Sequence, residues 1–495
     1  MLLLALTTLL SCSDKGNFFY QEAAGPRIIS FGFYQEDNPN TLSKDYVADL
    51  SSAPSLGTAT VNVALPMPST VDKSALIARF TTTDGTTIRV NGIDQQSQTT
   101  VNDFTIPIDY IVGKDGINVR YAVTITKATG MKWTELPAFT ALTTYGTPVL
   151  LINPETNLPC IGFKVRSNSD YRPVAIHYTP EGWKYFGDGP FGDEISGSYY
   201  DMTLDKAGNP FFAYSNNTDN VALKGSLSVQ DYSADSWQFT GGTAAVLKAQ
   251  SQYIGIEYLA NGEVICVQKN NSAKADYGRN KLVTSIYKGG TWTSQTPPML
   301  ANDVYQCSMA AGSDAAYVAV INRGSVDGVA YGYNVLKYQD GIWTAMTLNH
   351  LEPGNTFNNI YIIGAYVDPN QIPYIWTVDN ASGETAIRVK YYQKERDEWV
   401  DLGGNVLPLG IPFDRHIELS MAVTADGTPY IAFTNTADQS YPYLMFLDQD
   451  TQQWSKPTKI CDIAASGLRL AFSHNGVGYV SFSDASQGLH VFKYE

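Results

Sequence analysis

The chain is poor in charged residues, and positive charge is the scarcer of the two signs. Charged residues make up 16% of the 495 residues, against roughly 25% in an average globular protein. The 33 lysines and arginines are outnumbered by 48 acidic residues, which gives a net charge of −15. Because nucleic acids and anionic membrane surfaces are bound through clustered Lys and Arg, the composition argues against both as partners.

Cysteine and histidine are also few, with five residues of each. No CxxC motif and no Cys/His pair has the spacing of a zinc site. We therefore expect neither a bound metal nor another cofactor. Four of the cysteines are far apart in the chain, and we expect them to be packed thiols and not a disulfide framework: Cys160, Cys266, Cys307 and Cys461.

Tryptophan is present at regular intervals. Seven tryptophans follow one another at spacings of 50 to 56 residues, and a fixed period of this length indicates a repeat architecture. Four of them end a Tyr-x4-Trp frame that lies between two alternating segments, which predicts a strand, a tight hairpin and a second strand. The seven are Trp133, Trp183, Trp237, Trp292, Trp343, Trp399 and Trp454.

A second repeated element, a turn followed by a buried strand, precedes the tryptophans. Residues 205–214 and 424–433 are its clearest copies. The last copy, at 473–482, has no tryptophan after it, and Trp133 has no such strand before it. We predict that the strand at Trp133 completes the sheet formed by residues 468–495. Residues 129–495 are then a seven-bladed β-propeller closed by pairing of N- and C-terminal strands, which leaves no exposed edge between first and last blades.

Residues 26–128 contain about seven short predicted strands separated by Asp-Gly and Asn-Gly turns, which is typical of a β-sandwich. An opening Ile-x-Ser-Phe-x-Phe at 28–33, the segment 103–110 and a closing segment at 121–126 resemble immunoglobulin-like domains. Such domains open many surface lipoproteins of glycan-degrading Gram-negative bacteria. The resemblance implies a spacer, so the whole chain is predicted to be all-β, with an immunoglobulin-like sandwich followed by the propeller.

The first residues resemble the lipobox of bacterial lipoproteins. An apolar run leads into Leu9-Leu10-Ser11-Cys12, and polar residues follow. The resemblance implies a signal peptide at 1–12, a lipid on Cys12 and a linker at 13–25. It also implies a location at the cell surface, with the lipid in the outer membrane as the one membrane contact and outer-membrane transport proteins as partners. Nothing before Cys12 is basic, which departs from the signal-peptide pattern. An ordinary signal peptide and a frayed apolar terminus are the alternatives.

Three families of propeller proteins are not supported by motif. The Ser-x-Asp-x-Gly-x-x-Trp box of sialidases and the Trp-Asp dipeptide of another large family are missing. The Gly-Gly doublet of kelch-type oxidases occurs without period, at Gly241, Gly289 and Gly403. We therefore assign no catalytic residues from motifs.

Alignment of the repeats on their turns places tyrosine at one position of three successive repeats, near the start of the innermost strand. These are Tyr199, Tyr253 and Tyr305, and the same position of the next repeat holds Ile362. Two positions later the column contains mostly small residues, including Cys307. Packing between blades is one explanation. The functional one is an aromatic arc for a sugar, with predicted donors across the channel at Arg415, His416 and Arg469.

The predicted function is that of a cell-surface lipoprotein that binds a glycan or polysaccharide through the propeller face without catalysis. Two alternatives stay open at this point. One is a propeller glycoside hydrolase or polysaccharide lyase, which needs two carboxylates facing each other. The other is a protein-binding scaffold or adhesin, which needs an exposed apolar patch.

Overall fold

The computed structural model describes residues 25–50, 60–128, 131–167, 170–217, 224–300, 302–323, 332–351, 360–379, 386–406 and 417–495. The protein is all-β, as predicted: the described residues form strands and one short 3-10 turn at Thr240–Gly242, with no α-helix. None of the described segments is a helix long and apolar enough to cross a membrane. The chain divides into two compact units, one made of described residues within 25–37, 45–65 and 74–126, the other of 38–44, 66–73 and 127–495.

The ten strands before residue 128 belong mainly to the first unit. They are β1 (Ile28–Phe33), β2 (Tyr46–Val47), β3 (Thr60–Met67), β4 (Leu76–Ile77), β5 (Arg79–Thr82), β6 (Thr87–Val90), β7 (Ile93–Asp94), β8 (Val101–Asn102), β9 (Ile108–Lys114) and β10 (Ile117–Lys127). Their order is β2-β1-β5 in one sheet, β3-β10-β9-β6-β7 in a second, and β4-β8 in a short pair.

Aromatic side chains form the core of this first unit. The rings of Phe31 on β1 and Tyr110 on β9 lie 5.3 Å apart edge to face, so the two larger sheets meet through these residues. Phe33 contacts Phe104 in the same geometry at 4.7 Å. Alternation of buried and exposed residues along β3 is the pattern of a strand with one face on a core.

The following strands form antiparallel sheets in chain order. The strand β11 is Trp133–Glu135. Sheet 1 contains β12 (Thr144–Ile152), β13 (Pro159–Ser167), β14 (Asp170–Thr179) and β15 (Gly182–Tyr185). Sheet 2 contains β16 (Ile195–Leu204), β17 (Pro210–Asn216), β18 (Ser226–Ser233) and β19 (Ser236–Phe239). Sheet 3 contains β20 (Ser251–Tyr258), β21 (Val264–Asn270), β22 (Leu282–Lys288) and β23 (Thr291–Gln295).

The later sheets repeat this order. Sheet 4 contains β24 (Val304–Ala311), β25 (Ala316–Asn322), β26 (Tyr333–Gln339) and β27 (Ile342–His350). Sheet 5 contains β28 (Ile360–Val367), β29 (Pro373–Asp379), β30 (Ala386–Gln393) and β31 (Glu398–Asn405). Sheet 6 contains β32 (Leu419–Val423), β33 (Pro429–Asn435), β34 (Tyr441–Asp448), β35 (Gln453–Trp454) and β36 (Thr458–Lys459). Sheet 7 contains β37 (Ser466–Phe472), β38 (Gly478–Ser483), β39 (Leu489–Tyr494) and β11.

Neighbouring sheets share apolar clusters, and the order of neighbours is cyclic. Sheets 3 and 4, for example, meet through Ile265 and Leu336, and sheets 5 and 6 through Val389 and Met421. Sheet 7 packs on sheet 1 in the same way, with Val491 in the cluster of Phe163. The second strand of each sheet lies inside these clusters, so its residues are buried on both faces, as in β21.

The strand β11 closes sheet 7, as the repeat count predicted. Trp133 pairs with Tyr494 and Glu135 with Phe492, antiparallel. The rings of Trp133 and Tyr494 are stacked 4.8 Å apart. His490 on β39 contacts Glu135, with 2.6 Å between Nδ1 and Oε1. Closure therefore joins strands from distant parts of the chain by backbone pairing, ring stacking and one polar contact.

Four of the repeated tryptophans, Trp183, Trp237, Trp292 and Trp454, donate a hydrogen bond to the preceding repeat. The indole Nε1–H of Trp292 donates to the carbonyl of Thr240 at 2.9 Å, and that of Trp454 to the carbonyl of Leu402 at 2.9 Å. Gly241 and Gly403 lie beneath these indoles with φ of +71° and +79°. Two of the irregular Gly-Gly doublets therefore contact the tryptophan of the following sheet.

The cysteines of the described residues are free. Cys160, Cys266 and Cys307 are buried and Cys461 is half-buried, which confirms the prediction of packed thiols without a disulfide framework. Burial raises the pKa of the Cys160 and Cys307 thiols to about 12, so both are protonated at neutral pH.

Candidate functional site

The first strand of six of the seven sheets contains a β-bulge near its start. In sheet 3 the bulge begins after Gln252, and Tyr253 there has a φ of +52°. The same place in sheets 1 and 7 is occupied by Gly146 and Gly467, with φ of +79° and +72°. A bulky residue in this left-handed region is uncommon and strained. Tyrosine therefore stands in sheet 3 where the backbone favours glycine.

Tyr199, Tyr253 and Tyr305, which we call the tyrosine cluster, come together from sheets 2, 3 and 4. The rings of Tyr199 and Tyr253 are 5.4 Å apart and tilted by 55°. Burial, and then the neighbouring Tyr199 and Tyr305 hydroxyls, raise the pKa of Tyr253 to about 12. Burial and Tyr305 likewise raise the pKa of Tyr199. The rings of Tyr199 and Tyr253 are therefore neighbours, and Tyr305 lies close enough to influence the pKa of both.

The members of the cluster differ in their exposure. Tyr305 is 47% exposed, whereas Tyr199 and Tyr253 are half-buried. Tyr253 also packs against the apolar cluster between sheets 3 and 4, and its carbonyl accepts a 3.1 Å hydrogen bond from the Cys307 thiol. Packing between sheets therefore explains why Tyr253 is partly buried. It does not account for Tyr305, which is nearly half exposed.

A group of basic residues lies beside the tyrosine cluster. Lys269, opposite Gln252 on β21, is only 5% exposed, and its ammonium lies 5.7 Å from the centre of the Tyr253 ring. Burial lowers the pKa of Lys269, and the positive charges of Arg323 and Arg279 lower it further. Sequence reasoning did not find this group, because its members are dispersed over more than fifty positions of a chain poor in positive charge.

Polar contacts hold the surroundings of Lys269 in place. Arg323 donates from Nη1 to the side-chain oxygen of Asn280 at 2.9 Å. The backbone N–H of Arg323 donates to the carbonyl of Asp303 at 2.7 Å, and Lys281 forms an ion pair with the Asp303 carboxylate at 3.0 Å. The segment before β24 and the loop before β22 are thereby tied together next to the tyrosine cluster.

Two carboxyl groups lie farther along the same inner strands. Asp201 accepts backbone hydrogen bonds from Met202 at 2.9 Å and Ile256 at 3.2 Å, and Glu257 accepts one from the Thr203 hydroxyl at 3.3 Å. Burial raises the pKa of Asp201 to about 6. Burial and the nearby Asp201 charge raise the pKa of Glu257 to about 8, so Glu257 is mainly protonated at neutral pH.

The bond between Asp201 and Ile256 belongs to a repeated structural contact. In sheet 4 the Ser308 hydroxyl accepts from the backbone N–H of Ala365, and in sheet 6 Ser420 accepts from Leu470, at 3.2 and 2.9 Å. In each case a side chain satisfies a backbone donor of the next inner strand, which is otherwise an unpaired sheet edge.

The strand register corrects the sequence alignment by one residue in sheet 4. Ser308, and not Cys307, is the counterpart of Asp201, because Asp201 pairs with Ala213 and Ser308 with Ala319. In sheet 5 the bulge residue is Tyr361, between Ile360 and Ile362, as Tyr305 lies between Val304 and Gln306. The cause is the turn after the strand, which has four residues between Ala311 and Ala316 in sheet 4 but five between Leu204 and Pro210 in sheet 2.

Of the three predicted donors, only Arg469 lies among the described residues. Arg469 donates from Nη1 to the carbonyl of Leu468 at 2.9 Å, and its positive charge opposes the rise in pKa that burial causes at Asp201 and Tyr200. The structure thus brings Arg469 toward the Asp201 carboxyl of sheet 2. Arg415, His416 and Cys12 lie outside the described residues. In the part of the chain that is described, no group of three His, Cys, Asp or Glu side chains could hold a metal ion.

Comparison with known proteins finds similar structures but no family. No protein-family model and no curated protein matches the chain. An ulvan lyase of polysaccharide lyase family PL25 is 13% identical, over 72% of this chain and 95% of that chain, with a TM-score of 0.46. The β-propeller domain of the trilobed protease from Pyrococcus furiosus is 10% identical over 72% and 96%, with a TM-score of 0.45. AofleA from Arthrobotrys oligospora is 14% identical over 67% and 90%, with a TM-score of 0.42. Likeness at this level carries no argument about activity or ligand.

Proposed function

We propose that this protein is a surface lipoprotein that binds a glycan through its tyrosine cluster and does not cleave it. In this proposal residues 26–128 are an immunoglobulin-like spacer, and sheets 1 to 7 are the blades of a seven-bladed β-propeller. Cys12 carries the lipid that anchors the protein in the outer membrane, with the propeller facing outward beside outer-membrane transport proteins. The cyclic packing of the sheets and the pairing of Trp133 with Tyr494 support the propeller.

The observation that carries the proposal is the convergence of three tyrosines from successive sheets, one of them in a strained backbone conformation. Sugars present apolar C–H faces and rims of hydroxyl groups, so tyrosine rings can stack on them while the phenols form hydrogen bonds. Strained residues concentrate at functional sites, where they are kept for a purpose other than stability. The left-handed φ of Tyr253 is such a feature.

The test uses Tyr305, because its ring is exposed and its loss leaves the core intact. A glycan array identifies the ligand, and calorimetry compares wild type with Tyr305→Ala. We expect binding to weaken by about 1–3 kcal/mol, taking base–aromatic stacking as the measured analogue, with an unchanged melting temperature. The matched control is Ile342→Ala, an exposed apolar residue of the same sheet, which should bind normally. Silence on the array, or full affinity of Tyr305→Ala, contradicts the proposal.

A second candidate is a glycoside hydrolase or lyase, favoured by the Asp201–Glu257 pair. A protonated Glu257 has the pKa of a general acid, and Asp201 lies on the neighbouring strand. Against it, both Asp201 oxygens already accept backbone hydrogen bonds, which suits a structural role. Release of new reducing ends or unsaturated products by wild type, lost in Glu257→Gln, would establish the enzyme in place of the binder.

A further inference from the structure

The ammonium group of Lys269 has no partner in the described part of the chain. The side chain is 5% exposed, and no hydrogen bond or ion pair with a described residue accounts for its charge. Its nearest aromatic contact is the Tyr253 ring, at 5.7 Å. Desolvating a charge without pairing it is costly, and a cation–π contact at this distance offsets only part of the cost. A buried lysine left in this condition is suited to an anion that arrives with a ligand.

The charges around Lys269 point the same way. Arg279 and Arg323 are exposed and close enough to lower the pKa of Lys269, while Asp303 is already engaged by Lys281. The local charge is therefore positive on a protein whose net charge is −15. Because electrostatic interactions in solution are screened within about 8 Å at physiological ionic strength, this local group, and not the net charge, decides what binds at Tyr253.

We infer that the tyrosine cluster binds a sugar that carries an anionic group, a carboxylate or a sulfate, and that Lys269 pairs with that group. The inference rests on the proposed function and names its ligand class. The rings of Tyr199, Tyr253 and Tyr305 stack on the sugar, and the Lys269 ammonium donates to the anion beside the Tyr253 ring. Arg279 and Arg323 extend the positive surface toward the next charged sugar of the chain.

The experiment compares acidic polymers with neutral forms of the same backbone. The probes are polygalacturonate with its carboxyl-reduced form, and dextran sulfate with dextran, each titrated into the full chain by calorimetry at low and high salt. The first pair tests a carboxylate and the second a sulfate. We expect the acidic member of at least one pair to bind at least about tenfold more tightly, and its advantage to shrink in high salt.

The variants separate the charge of Lys269 from its packing. Lys269→Met keeps a long apolar side chain against Tyr253 and should abolish the preference for the acidic polymer with no loss of melting temperature. Lys269→Arg should keep the preference. The matched control is Lys281→Met, whose charge is already paired with Asp303 and whose loss should change affinity by less than about threefold.

The possible results are distinct. Equal binding of acidic and neutral polymers, or a preference that survives in Lys269→Met, overturns this inference; if Tyr305→Ala still abolishes that binding, the proposed function stands. Failure of all four polymers and of the glycan array to bind overturns both. A preference confined to one pair supports the inference and assigns the anion as carboxylate or as sulfate.

Discussion

The indole Nε1–H of Trp237 donates a 2.8 Å hydrogen bond to the carbonyl oxygen of Phe186, which lies 51 residues earlier in the chain. The same bond recurs at Trp183, Trp292 and Trp454, always to the preceding part of the repeat. The tryptophan spacing that defines the repeat is thus also the means by which one sheet is attached to the one before it.

This hydrogen bond predicts that replacement by phenylalanine costs more stability at Trp237 than at Trp343. Trp237→Phe removes the indole N–H and leaves the Phe186 carbonyl without that donor, so we expect the free energy of unfolding to fall by about 1–3 kcal/mol. Trp343 is the matched control, because its buried Nε1 has no hydrogen-bond partner among the described residues. Trp343→Phe should therefore cost less. Urea unfolding of both variants measures the difference, and equal losses would contradict the bridging role of the indole.

Closure of sheet 7 predicts the effect of truncation. Deleting the last 25 residues removes β38, β39 and the end of β37, and leaves β11 and the rest of β37 without partners. Exposed edges favour intermolecular pairing, so we expect aggregation and no cooperative unfolding transition. Lys493→Ala, which removes only an ion pair with Glu495, should melt as wild type. Light scattering and circular dichroism provide the measurement. A soluble truncation with an unchanged transition would disprove closure.

The left-handed conformation of Tyr253 predicts that glycine is a more stable replacement than alanine at this position, the reverse of the usual order. Because glycine adopts φ of +52° without strain and alanine does not, Tyr253→Gly should be more stable than Tyr253→Ala by about 1 kcal/mol. Both should lose glycan binding. At Tyr305, which is not among the residues of positive φ, alanine should be the more stable replacement. Thermal melts of the four variants check the order, and the same order at both positions would argue against backbone strain.

Burial of Glu257 predicts that stability falls as pH rises. Its folded-state pKa of about 8 lies above the roughly 4.3 of an unfolded chain, so between these values the native state binds the extra proton and loses stability with increasing pH. Glu257→Gln stays uncharged and should flatten the decline above pH 6, leaving only the contribution of Asp201 below it. Urea midpoints from pH 5 to pH 8.5 provide the measurement. Glu181→Gln, at an exposed carboxyl with a lowered pKa, should keep the wild-type slope.

Lipidation of Cys12 predicts incorporation of labelled fatty acid in a bacterial host. Cys12→Ala should abolish the label, and the protein should leave the membrane fraction, because buried acyl chains supply the membrane affinity that an acidic surface lacks. Cys461→Ala, at a half-buried thiol, should be labelled normally. Equal labelling of wild type and Cys12→Ala would exclude the lipobox.

Repetition made much of the fold predictable. The tryptophan period, the Tyr-x4-Trp hairpins and the missing partners of the first and last repeats are all local patterns, and hairpins pair residues that are close in the chain. Tyr178 pairs with Trp183 and Tyr287 with Trp292 as the frame predicted. Closure followed from counting, since a circular repeat with one strand missing at each end has a single completion.

The site was predictable only in part. The three tyrosines shared an alignment column, but Tyr361, which occupies the place of Tyr305 in sheet 5, was missed, because the turn after β24 is one residue shorter than the turn after β28. The alignment contained no signal for Lys269 either, since a lone lysine in a buried strand has many explanations.

The sequence by itself determined the repeat, its hairpins and the way in which the circle closes, because these depend on periodic patterns and on pairing between neighbours. Only the tertiary structure decided that Lys269 lies beside Tyr253, that Arg279 and Arg323 add their charge there, and that the Asp201 charge raises the pKa of Glu257. The physical reason is that electrostatic energies depend on distance and burial, and packing of successive sheets brings together charges that are far apart along the chain.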